Sequence, residues 1–137
     1  MKVVVAKTQK ELLDNVLVRG KVFVVEQDID WEIEFDGLDD VCVLFTGYID
    51  DVPVGAARLY KNKVGRVATL KEYRKQGIAS LIMKKIEEYA KDNNIGLLKL
   101  NAQLQVKEFY LHLGYITEGE IFQEADIDHI KMTKVIK

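Results

Sequence analysis

Cysteine and proline each occur once in the 137 residues. A lone Cys42 excludes an intrachain disulfide, and its place in an apolar run marks a buried structural thiol. Histidine is nearly as scarce. His112 and His129 have no Cys or His neighbour in sequence, and no carboxylate set has the spacing of a known metal loop, so no metal is expected. No apolar run approaches the ~18 residues of a membrane span. Met1 to Val5 lacks the apolar stretch and cleavage site of a signal peptide, so a cytoplasmic location and no membrane partner are expected. Charge of one sign is also missing: 20 Lys and Arg against 22 Asp and Glu leave a net charge of −2, which gives nucleic-acid binding no support. Neither G-x-x-x-x-G-K-[ST] nor a post-strand G-x-G-x-x-G occurs, which argues against a nucleoside triphosphate or dinucleotide fold.

What the chain does have is apolar residues enough for a core, 48% of the total, in a length that fits one domain over 1–137. Its organising stretch is Leu70 to Ile82. Ile78, Ile82, Ile86 and Ala90 recur every fourth residue, with Leu81 and Tyr89 filling the same helical face. The start of that helix carries no acid, although a helix N-terminus has partial positive charge and free N–H groups. Arg74 and Lys75 precede it, and the first carboxylate after the turn is Glu87. Positive side chains on a positive helix end are costly unless an outside anion sits there, and Gly77 and Ala79 leave room for one. The stretch reads as a phosphate-binding turn.

Elsewhere, Met1 to Ala6 predicts a strand, and Thr8 with Glu11 a capping box opening a helix with Leu12, Leu13 and Val16 on its buried side. Gly20 is expected to break that helix. Val22 to Val25 suits a strand by composition and a helix by its spacing from Arg19, with helix preferred. Gln27 to Asp40 is a loop dense in acid, with Trp31 and Phe35 among the charges. It reads equally as a solvated loop pinned by two aromatics and as a lip attracting a cationic amine. Strands are predicted at Val41–Ile49, Val52–Tyr60 and Val64–Leu70, the last running into the basic turn. A short strand ends at Asn101-Ala102-Gln103. A helix carrying Val106, Phe109, Tyr110 and Leu113 follows, then strands at Tyr115–Glu118 and Ile127–Val135 bridged by a loop containing Phe122 and Glu124. The class is α+β with a mostly antiparallel sheet.

Arg74-Lys75-Gln76-Gly77-Ile78-Ala79 resembles the Q/R-x-x-G-x-G/A acetyl-CoA signature of the GNAT superfamily of N-acetyltransferases, with Ala79 in place of the final Gly. Phe109 to Tyr115 resembles that family's F-Y-x-x-x-G-F segment, with Tyr115 for Phe. Val22 to Gln27, Gly65 to Ala68, Asn101 to Gln103 and Ile127 to His129 resemble its bacterial ElaA/YjcF-like branch. The resemblance implies a GNAT-like acyl-CoA N-acyltransferase fold, a mostly antiparallel mixed sheet flanked by helices.

It also implies a site. Acetyl-CoA would be the cosubstrate, its pyrophosphate on the turn Arg74, Lys75, Gln76, Gly77, Ile78, Ala79 and its pantetheine arm along Val67, Ala68 and Thr69. The Val67 N–H would polarise the thioester carbonyl, and Tyr110 would be the general acid, protonating the thiolate. Glu26 is the first choice for general base, with Asp36 and His129 behind it; all three are candidate acceptor-binding residues, and a water relay is an alternative. Asn101 would cap the splayed strands or touch the CoA amide. The acceptor would be an amine on a small molecule or protein, and the chain a monomer or homodimer. The competing reading is a non-catalytic CoA-binding regulatory module.

Overall fold

A computed structural model describes residues 1–137 as one seven-stranded sheet with helices on both faces. In chain order the strands are β1 (Lys2–Val5), β2 (Val43–Ile49), β3 (Val52–Tyr60), β4 (Lys63–Thr69), β5 (Leu97–Gln103), β6 (Ile116–Glu124) and β7 (Ile127–Val135). The helices are α1 (Gln9–Arg19), α2 (Trp31–Glu34), α3 (Ile78–Asp92) and α4 (Lys107–His112). The strand order is β1-β2-β3-β4-β5-β7-β6, antiparallel throughout except between β4 and β5.

The apolar stripe of α3 buries Ile78, Ile82, Met83, Ile86 and Ala90 against one face of the sheet. Two glycines let it come close. A Cβ on Gly47 would stand 3.0 Å from Ile78 Cδ1, and one on Gly55 would stand 2.7 Å from Ile82 Cδ1.

Helix α1 covers the other face and departs from its expected pattern. The Thr8–Glu11 capping box is present, but Leu12 and Leu13 are exposed. The buried side carries Asp14, Asn15, Val18 and Arg19. Asn15 donates to the carbonyls of Phe45 (2.8 Å) and Ala57 (3.1 Å), and Asp14 accepts from the Tyr48 hydroxyl (2.7 Å). Hydrogen bonds to the sheet, absent from any apolar periodicity, decide which face turns inward. Gly20 does not break the helix: at φ −61° it continues as a π-helix over Gly20–Glu26, burying Val22 and Phe23.

The acidic segment is largely spoken for. Arg19, fully buried, donates to Glu34 (2.9 Å) and Asp39 (2.9 Å). Arg58 grips Asp36 through two nitrogens (2.9 and 2.7 Å) and also reaches Asp39 (3.0 Å). Arg66 pairs with Glu34 (3.1 Å) and donates to the carbonyls of Ile33 and Glu34. Phe35 lies under the Arg19 guanidinium, whereas Trp31 is exposed and pins nothing.

On the far side, the strand expected at Tyr115–Glu118 continues as β6 to Glu124, through the stretch expected as a loop; Gly119, at φ +75°, lies within a pairing irregularity between Glu118 and Phe122. It is the sheet's outer edge and exposes most of its length.

Two outcomes follow from this packing. Gly55→Val should lower stability by about 1–3 kcal/mol in urea titrations, by driving a methyl group into Ile82. The Arg58 guanidinium holds Asp36 well below the usual carboxylate range. Burial works against the Asp39 charge, yet Arg19 and Arg58 hold it low too. Depressed carboxylates stabilise above their unfolded pKa, and that contribution is lost as pH falls through the folded one. Glu34, raised by burial against the pull of Arg66 and Arg19, is protonated in both states at the acid end. The urea midpoint should therefore fall as pH drops from about 4 towards 2, and Arg58→Met should flatten that slope.

Candidate active site

Strands β4 and β5 pair only at Lys63–Lys99 and Val64–Leu100, then separate. The separation begins at a bulge, where Arg66 and Val67 stand opposite the single Ala57 of β3. Arg66 takes a left-handed conformation there (φ +55°), which its bonds to Ile33, Glu34 and Asp36 hold in place. The extra residue shifts the alternation of the strand. Leu70 N donates to Val54 O (2.8 Å), so Ala68 and Leu70 serve β3 while the N–H groups of Val67 and Thr69 turn towards the gap left by β5.

The gap opens into a cleft of about 1070 Å³. At one end lies the basic turn. Lys75 (φ +65°) and Gly77 (φ +91°) are both left-handed, and only the Met1 Cε, at 4.0 Å, would approach a Cβ on Gly77. Gly77 caps α3 without a side-chain hydrogen bond, and the first turn holds no acid. The N–H groups of Ile78, Ala79 and Ser80 thus precede the helical ladder, whose first bond runs from Leu81 N to Gly77 O. This backbone fits an anion such as a diphosphate. Gly77, Ile78 and Ala79 line the cleft beside Val67, Ala68 and Thr69; Gln76 is exposed in the same turn. The Arg74 side chain turns elsewhere, donating to Glu26 through two nitrogens (2.7 and 2.6 Å) and to Thr69 O (3.0 Å).

Tyr110 is buried on α4 with its ring edge-on to Phe109 (5.0 Å) and Tyr115 (5.9 Å). It lines the cleft, no residue hydrogen-bonds its hydroxyl, and burial pushes the phenol upward.

The remaining predicted residues divide. Arg74 binds Glu26 and holds its carboxyl below the ordinary range, and Asp36 is likewise depressed by Arg58. Both are poor proton acceptors while so paired. His129 is buried on β7, with Nδ1 2.7 Å from Ile127 O. A carbonyl only accepts, so Nδ1 carries the hydrogen and Nε2 of the neutral ring keeps its lone pair. Asn101 donates to Glu124 (3.1 Å). The register places Asn101, Gln103, His129, Phe122 and Glu124 on one sheet face. Glu124 is not among the site residues singled out from sequence, because the strand expected at Tyr115–Glu118 gives way there to a loop; alternation along the strand as it stands, Ile116–Glu124, puts Glu124 on this face. Sequence reading also missed the reciprocal amide pair of Gln27 and Gln103 (2.9 Å), which no local signal could give, since 76 residues separate them.

The sequence profile of the acetyltransferase (GNAT) domain matches residues 23–136. The chain is 38% identical over 140 residues to YjcF of Bacillus subtilis (strain 168), an N-acetyltransferase by name, covering 98% of this chain and 99% of that one. Among solved structures, an acyl-CoA N-acyltransferase from Pseudomonas aeruginosa superposes with a TM-score of 0.84 at 28% identity, covering 97% of each chain. Escherichia coli ElaA gives 0.81 at 25% identity, again over 97% of each. A profile match over most of the chain, a full-length relative and two full-length folds agree with the strand gap and the unladdered turn: the chain belongs to the GNAT superfamily of acetyltransferases, in its ElaA/YjcF branch.

Proposed function

We propose that this acyltransferase moves the acetyl group of acetyl-CoA to the primary amine of an acceptor, by direct attack within a ternary complex. The observation that carries the reading is the β4–β5 gap, where an N–H with no strand partner, an unbonded phenol and an acid-free helix start share one cleft. Acetyl-CoA supplies the thioester and, after transfer, a thiolate. The backbone of Arg74 to Ala79 holds the diphosphate, and the edge of β4 from Val67 to Thr69 aligns the pantetheine arm. The Val67 N–H donates to the carbonyl oxygen as negative charge develops on it.

His129 is the general base, taking a proton from the acceptor ammonium through Nε2. Glu26 and Asp36 are less suited, because each is tied to an arginine. Tyr110 donates the proton that the departing sulfur needs. A thiol and a phenol differ by only about one to two pKa units in their ordinary values, and burial raises the Tyr110 phenol, keeping its proton on until the sulfur departs.

Tyr110→Phe should lower kcat by roughly 10²- to 10⁴-fold, with the acetyl-CoA Kd from calorimetry nearly unchanged; equal turnover would remove its role. His129→Gln should lower kcat/KM for the amine by roughly 10²-fold or more. An unaltered value would return the base to Glu26 or to water.

A further inference from the structure

We infer that the acceptor is a small primary amine with one positive charge on an apolar body, an alkylamine or arylalkylamine, whose ammonium group meets Glu124. The inference rests on the transferase reading above and names the substrate class of that same cleft.

Charge accounting comes first. Four acidic and five basic side chains line the cleft. Three of the acids, Glu26, Glu34 and Asp36, are each ion-paired to an arginine. Glu124 is the exception: it makes no ion pair, and its recorded partner is the neutral amide of Asn101. The unpaired cations are Lys63 and Lys75, which line the same space. One ammonium therefore finds an unpaired carboxylate, and a second finds none. In the acid-rich segment, Glu34, Asp36 and Asp39 are neutralised by Arg19, Arg58 and Arg66.

The walls supply the rest. From the acidic segment, Ile29, Ile33 and Leu38 line the cleft, and Ile33 and Leu38 remain 54% and 39% exposed. His129, which also lines the cleft, stacks on Phe122, ring centroids 6.0 Å apart and 27° between planes. Apolar groups left open in the same cleft as a single free carboxylate suit a body that is itself apolar. Glu124 and His129 share a sheet face, so the carboxylate that holds the ammonium stands on the same surface as the base that deprotonates it.

The test is thiol release from acetyl-CoA with phenethylamine, n-butylamine, spermidine and kanamycin, with acetyl-CoA binding followed by calorimetry. Phenethylamine should exceed spermidine and kanamycin in kcat/KM by at least about tenfold. Glu124→Gln should raise the phenethylamine KM by a similar factor and leave the acetyl-CoA Kd unchanged. Ile33→Asp, on an exposed position, should shift preference towards spermidine. Turnover led by spermidine or kanamycin would overturn the acceptor class while leaving the transferase reading intact. An unchanged KM in Glu124→Gln would overturn the ammonium site. No release with any amine, from protein that still binds acetyl-CoA, would sink the transferase reading itself.

Discussion

The guanidinium of Arg66 sets the geometry on which the cleft depends. It anchors a left-handed residue in the middle of a strand, a conformation costing on the order of 1–3 kcal/mol without compensation. The compensation is the ion pair to Glu34 and the bonds to the Ile33 and Glu34 carbonyls. The gain is one extra residue in β4. Because strand groups alternate with a period of two, that insertion reverses which side each later N–H serves. Val67 and Thr69 then face the gap instead of β3. The acidic segment, which by sequence reads equally as a solvated loop and as a lip for substrate, fixes the strand through Arg66.

Helix α3 and its turn were legible because every cue agreed there. The apolar repeat, the missing first-turn acid and the basic residues before Gly77 all refer to neighbours within a few positions. The family motifs sat on the same stretch and on Phe109 to Tyr115. Helix α1 was legible in extent, through its capping box, but not in orientation. Its buried side is polar, and only partners far along the chain, Phe45, Tyr48 and Ala57, make that tolerable.

The same limit governed the site. Composition counts carboxylates but cannot say which of them already have a guanidinium. Arg19, Arg58 and Arg66 lie on three different elements, and only folding gathers them around Glu34, Asp36 and Asp39. Glu26 looked like a free base for this reason, and Glu124 passed unnoticed. His129, one of only two histidines, has its ring held by a backbone carbonyl two residues away, a local contact that does not depend on partners far along the chain.

The outer margins of the sheet carry one more implication. β6 runs along one border with Glu118, Glu120 and Glu124 along its length and an irregularity near Gly119, while β1 ends the opposite border after four residues. Laying two copies of β6 side by side would crowd like charges along a twisted edge. Sheet-to-sheet concatenation through that border is thereby opposed by Coulomb repulsion, which guards the molecule against fibrous association while the cleft stays open.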